Sequence, residues 1–229
     1  SDLPFFNIEY DGGGVIAALG WPGQWAADFI RDSGNVLHVM AGQQLTHFKL
    51  RPGEEVRTPL VVMQFYQGSR AHAQNVWRQW MIAHNMPHPF GEPPPPMTGA
   101  CSSHQFHEMI NATEASQIDF IDRYLEEKIP INYWWMDAGW YVNNGDWPNT
   151  GTWEVDLRRF PHGLRAITDH AHAKGIKSIV WFEPERVNPG TWLYEHHHEW
   201  LLGKDGGDKL LNLGNSDARH WWLEHVDAL

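Results

Sequence analysis

The spacing of hydrophobic positions changes partway along the chain. Up to residue 67, short apolar runs alternate with Gly, Pro and Asp turns: Gly14-Val15-Ile16-Ala17-Ala18-Leu19, Asn35-Val36-Leu37-His38-Val39-Met40, and the stretch from Val56 to Tyr66. Runs of this length, punctuated this way, predict strands of an antiparallel β-sandwich. Residues 71–84 then place Ala73, Val76, Trp77, Trp80, Met81 and His84 at helical intervals. The segment Pro87-His88-Pro89-Phe90-Gly91-Glu92-Pro93-Pro94-Pro95-Pro96 fixes φ repeatedly and removes backbone donors, so residues 87–97 read as an extended linker between a first unit, 1–86, and a second, 98–229.

After the linker the pattern becomes strand, helix, strand, helix. Thr98 to Ser103 reads as a short strand, and residues 113–127 put Ile118, Ile121 and Leu125 on one helical face with Thr113 or Asn111 as cap. Ile131 to Met136 is almost wholly apolar, the profile of a strand covered on both faces. Pro161 to Lys174 carries Leu164, Ile167 and Ala171 on one face and stops at Gly175. Lys177 to Phe182 predicts another buried strand, Leu210 to Leu213 a short one, and 216–229 a helix cut off at its end. Repeated β-α units with apolar strands lead to an open doubly wound sheet or to a (β/α)8 TIM barrel. No G-x-G-x-x-G turn follows a strand, which favours the barrel. Residues 98–229 fall short of the about 250 of a full barrel, so the expectation is an α/β chain truncated after three to four barrel units.

Composition narrows the partners. A net charge of −11 supplies neither a phosphate-tracking surface nor a polybasic patch, which argues against nucleic acid and anionic membrane. No apolar run approaches a membrane span, and the chain, from Ser1 to Leu229, reads as an excerpt. The single cysteine, Cys101, leaves the compartment open. Fourteen Trp modestly favour a carbohydrate ligand, because indoles stack on the apolar faces of sugar rings, although most are expected in the core.

In a barrel the C-terminal strand ends point into the active site, which singles out Asp137, Glu183 and Glu185. Asp137 suits a general acid, a nucleophile or an acceptor for sugar hydroxyls, or else a cap or ion-pair partner. Glu183 and Glu185 flank Pro184 on one strand end, and a glycosidase pair must flank the scissile bond from different elements. His196-His197-His198, with His170 and His172, lacks the spacing of a metal site and reads as surface.

The ordered segments WMDAGWY, GDW, RRFPHGL, KGIKSIVWFEPERV, LYEHHHEWLL and LLNLGN resemble the first part of the catalytic barrel of the α-galactosidase (melibiase) family, glycoside hydrolase family 36 of clan D. FFNIEY, GVIAALGWPGQW and the linker are similar to the end of that family's β-sandwich domain. The resemblance implies retaining hydrolysis of terminal α-galactosides of the raffinose or melibiose type. It requires neither metal nor organic cofactor.

It also implies that Asp137 binds galactose hydroxyls and that Trp181 lines the sugar pocket. Asp146 and Trp147 would order the loop above it. Ala138 stands where the family has a second Asp, and His104 or Ser103 where it has an aromatic wall. Lys209 is the cation nearest to an expected Arg. The family's Asp nucleophile and Asp acid/base would both lie beyond residue 229, leaving no catalytic residue in this chain. A transglycosylase of the same fold and a non-catalytic sugar binder, for which Ala138 is the motive, are the alternatives. The resemblance further implies homo-oligomerisation of the full-length protein, with Trp21 and Trp25 either an apolar interface patch or packed on their own sandwich.

Overall fold

The computed structural model describes residues 3–102, 107–143, 145, 149–151 and 153–229. It forms two compact units, Ser1–Pro94 and Pro95–Leu229.

In the first unit, β1 (Phe5–Tyr10), β2 (Gly13–Gly20), β3 (Trp25–Arg31), β4 (Leu37–Gln43) and β5 (Leu60–Gln67) are all antiparallel. They form one sheet in the order β1-β2-β5 and a separate β3-β4 ribbon. Alternation gives the three-stranded sheet two apolar faces. On one, Ile16 and Tyr66 pack against Ala73 and Trp77 of α1 (Arg70–His84), a helix started by Ser69, whose hydroxyl accepts from the His72 N–H. On the other, Phe6 meets the ribbon, its ring 5.0 Å from Phe29 and 5.8 Å from Trp25. Gly14 is required here because any β-carbon would sit 2.4 Å from the Tyr66 hydroxyl. That hydroxyl donates to Asn7 Oδ1 at 2.9 Å. Trp21 and Trp25 are half-buried on their own unit. Val61, Met63 and Phe65 on the edge strand β5 are exposed. The proline segment is not extended throughout, since Pro89–Gly91 makes a 3₁₀ turn with Phe90 at φ 64°.

In the second unit, β6 (Gly99–Ala100), β7 (Tyr133–Met136) and β8 (Lys177–Val180) pair in parallel in the order β6-β7-β8. The first crossover carries α2 (Glu108–Asn111) and α3 (Glu114–Glu126), and the second carries α4 (Arg165–Ala173). A reciprocal cap starts α3: Thr113 Oγ1 accepts from the Ser116 N–H, and Ser116 Oγ accepts from the Thr113 N–H. The predicted helix from Pro161 begins only at Arg165, because Gly163 sits at φ 67° and breaks the helical path. It ends as predicted at Gly175, whose N–H donates to the His172 carbonyl while the Ile176 N–H reaches back to Ala171.

Trp134 and Met136 of β7 are fully buried, and Ile121, Ile167 and Ala171 complete that layer beneath α3 and α4. The other face is not covered, contrary to the expectation of strands buried on both sides: Trp135 is 38% and Ile179 40% exposed. The helices α3 and α4 cover the Trp134–Met136 face. A second correction concerns Leu210–Leu211 (β10), which pairs antiparallel with Leu201–Leu202 (β9) and so adds no fourth parallel strand. The short α5 (Trp192–His196) precedes this ribbon, and α6 (Ser216–Asp227), capped by Asn215, follows it.

Candidate functional site

The register that sets Met136 opposite Val180 brings Asp137 and Trp181 side by side at the C-terminal ends of β7 and β8. The Trp181 N–H donates to the Met136 carbonyl at 2.9 Å, extending the ladder by one rung. The Trp181 ring is half-buried and stacks on Trp135, with centroids 5.6 Å apart. Asp137 Oδ1 accepts from the Ala138 N–H at 2.7 Å and caps the 3₁₀ turn Ala138–Trp140. One carboxylate edge therefore shapes the loop. The second oxygen retains acceptor capacity.

Tyr141, fully buried just beyond that turn, donates its hydroxyl to the Trp181 carbonyl at 2.9 Å. Burial pushes this phenol well above the usual tyrosine range, and the negative charges of Glu183 and then Asp137 push it further. Glu183 is 8% exposed and ion-paired to Arg186, whereas Glu185 faces solvent. The two glutamates thus diverge. Glu183 fastens the segment after β8, and Glu185 is left free of that contact.

Sequence reasoning passed over the buried network beneath this loop. Asp156, 3% exposed, accepts from Arg158 Nε and Nη2 and from Arg159 Nε, each at 3.0 Å. Burial is the largest influence on its carboxyl and raises the pKa. The two guanidiniums and the Arg158 backbone N–H outweigh it and hold the carboxyl down at about 2. Arg159 also donates to the carbonyls of Ala112, Gly139 and Tyr141. The signal in the sequence was an Asp followed two and three residues later by paired Arg.

Lys209 is buried, but its ammonium lies 2.7 Å from Asp205 and 5.3 Å from the centre of the Tyr194 ring. Its hydrogen bond to Asp205 raises its pKa. Its backbone pairs with Val187 in both directions, at 2.7 and 3.0 Å, and ties the β9-β10 ribbon to the segment after β8. The structure thus brings Asp137 and Trp181 together and directs the Lys209 charge to Asp205. His104, Asp146 and Trp147 lie outside the described residues. Of His170, His172 and His196 to His198, three have hydrogen-bond partners in the protein: His170 bonds Asp122, His196 the Trp192 carbonyl, and His197 Glu199. Among the described residues, no three His, Cys, Asp or Glu side chains are grouped to hold a metal, and no helix is long and apolar enough to cross a membrane.

The profile of the Melibiase family matches residues 98–219. α-Galactosidase Mel36A of Lactobacillus acidophilus is 26% identical over 227 residues, covering 92% of this chain and 30% of that protein. The crystal structure of the GH36 α-galactosidase AgaA from Geobacillus stearothermophilus superposes with TM-score 0.79 at 20% identity, over 97% of this chain and 33% of that one. A variant of the same enzyme in complex with raffinose gives TM-score 0.75 at 20% identity, over 94% of this chain and 31% of the other. These two structural likenesses concern the fold. The chain spans about a third of the length of each protein it matches here.

Proposed function

This chain belongs to the Melibiase family, and we propose that it forms part of the sugar-holding wall of an α-galactosidase whose substrates are raffinose- or melibiose-type oligosaccharides. The observation that carries this reading is the β7–β8 register, which brings Asp137 and Trp181, one bearing a carboxylate and the other an indole, to neighbouring parallel strand ends. A carboxylate accepts strong hydrogen bonds from sugar hydroxyls, and an indole offers an apolar face to the ring carbons. Galactose presents both kinds of surface. The raffinose bound to the related Geobacillus enzyme points to the same substrate class.

In this reading residues 1–86 are part of a β-sandwich, 87–97 join the units, and 98–229 are the first units of a (β/α)8 barrel. The half-exposed face bearing Trp135 and Ile179 is then interior surface awaiting the remaining strands. The reaction retains configuration. A carboxylate attacks the anomeric carbon while a carboxylic acid protonates the departing glycosidic oxygen, giving a glycosyl ester. Water, losing its proton to that second carboxylate, then displaces the ester. Asp137 and Trp181 orient the galactose for both steps and make no bond to it. The family resemblance puts the reacting pair of Asp residues beyond residue 229; within the chain Asp137 caps its own turn and Glu183 is paired with Arg186.

The test compares hydrolysis of p-nitrophenyl α-galactoside by the full-length protein and by residues 1–229 alone. Turnover by the full-length protein, with none by the short form, is expected. A full-length protein indifferent to α-galactosides overturns the function. Turnover by the short form at even a thousandth of the full rate returns Asp137, Glu183 or Glu185 to the role of catalyst.

A further inference from the structure

Arg159 is a largely shielded cation with almost all of its hydrogen-bonding capacity used inside the protein. Its side chain is 14% exposed. Nε donates to Asp156 Oδ2 at 3.0 Å, Nη1 to the Ala112 and Gly139 carbonyls at 2.8 and 2.5 Å, and Nη2 to the Tyr141 carbonyl at 2.5 Å. Neutralising Asp156 needs only the first of these bonds. The other three go to main-chain oxygens, and two of those, on Gly139 and Tyr141, bracket Trp140 in the loop that begins at Asp137.

Tyr141 is held at both ends. Its carbonyl is gripped by Arg159, and its hydroxyl donates to the Trp181 carbonyl. The path from Asp156 through Arg159 and Tyr141 to Trp181 is therefore an unbroken series of hydrogen bonds linking the end of β7 to the end of β8. The planar guanidinium suits this task because its donors leave in fixed, divergent directions. A lysine ammonium carries three donors on one atom and cannot span Asp156 and three separated carbonyls.

We propose that Arg159 is a positioning residue of the sugar site, fixing the Asp137 carboxylate and the Trp181 ring relative to one another through the Gly139 and Tyr141 carbonyls. This rests on the reading of Asp137 and Trp181 as galactose-binding groups. Small misplacements of such groups are amplified in affinity and rate, which gives the clamp its leverage.

The experiment uses the full-length protein with Arg159→Lys and Tyr141→Phe, and Asp122→Asn as a control. Asp122 ties α3 to α4 through His170 and Lys174, so its loss lowers stability without touching the clamp. Three quantities are read: kcat and KM on p-nitrophenyl α-galactoside, Kd for D-galactose, and hydrogen exchange of the amides of residues 138–141. For Arg159→Lys, KM and Kd rise at least about tenfold, kcat falls by less, and exchange of the loop accelerates at least about tenfold. Tyr141→Phe shifts KM in the same direction to a smaller extent. Asp122→Asn lowers Tm and leaves all three unchanged. Unaltered KM and Kd in Arg159→Lys, or an equal rise in Asp122→Asn, overturns the proposal. A wild-type protein that neither binds nor hydrolyses galactosides overturns the proposed function instead, while exchange unchanged by Arg159→Lys overturns the clamp by itself.

Discussion

The Tyr141 hydroxyl hydrogen-bonds the Trp181 carbonyl at 2.9 Å across the gap between two strand ends. The donor is a fully buried side chain and the acceptor is main chain, so this single bond couples the loop after β7 to the last rung of β8. Tyr141→Phe leaves the Trp181 carbonyl without that donor and is expected to cost about 1–2 kcal/mol, read as a lowered Tm.

The same phenol makes alkaline stability informative. Its pKa is raised above the ordinary 10.0, so the native state keeps the proton after the unfolded chain has lost it. Stability is then fully present below pH 10 and falls as pH rises beyond it. Subtracting the Tyr141→Phe profile from wild type, by urea titration between pH 8 and 11, should isolate that fall. Parallel profiles would remove Tyr141 as its source.

Asp156 predicts the opposite flank. Its carboxyl is depressed to about 2 from 3.8, so its contribution is present above pH 4 and is lost as pH falls towards 2, an effect of about 2 kcal/mol. Asp156→Asn should destabilise by about 3 kcal/mol at pH 7 because it leaves the Arg159 guanidinium, largely shielded from water, without its counter-charge. Its acid unfolding curve should also be flatter than wild type. Chemical denaturation at pH 3 and pH 7 compares the two.

For the sugar site, Asp137→Ala in the full-length protein should lower kcat/KM on an aryl α-galactoside by at least about 100-fold. Trp181→Ala should act mainly on KM. Unchanged kinetics in a folded Asp137→Ala variant would remove that residue from the site, and a Tm collapse with little kinetic change would make Trp181 a packing residue.

The cap of α3 offers a purely structural check. Thr113→Ala removes the acceptor for the Ser116 N–H and should cost about 1 kcal/mol. Loss of helix content at the α3 N-terminus, seen as faster amide exchange at residues 114–117, accompanies it.

Residues whose roles follow from local periodicity were readable in the chain. Ile121, Ile167 and Ala171 lie where a 3.6-residue stripe puts them, Thr113 caps, and Gly175 stops its helix. The adjacency of Asp137 and Trp181 was legible only as two strand ends, because pairing order is a long-range property. The Arg159 clamp was not legible: it reaches Ala112, Gly139 and Tyr141, and nothing in an Arg-Arg pair announces which carbonyls will close around it. Leu210 misled for the same reason. An apolar pair records burial, not whether its partner runs parallel or antiparallel.

Gln117 shows what a polar group contributes inside an apolar layer. It is 1% exposed, accepts from the Trp134 indole N–H at 3.1 Å, and donates to Ser102 Oγ at 3.1 Å. Aliphatic side chains are nearly indifferent to a small slide along their neighbours, whereas an amide with both ends engaged is not. Advancing α3 by one residue would break both bonds and strand three polar groups away from water. Gln117 therefore works as a key cut for one lock: it selects a single seating of the helix on its sheet and rejects the neighbouring ones that grease alone would tolerate.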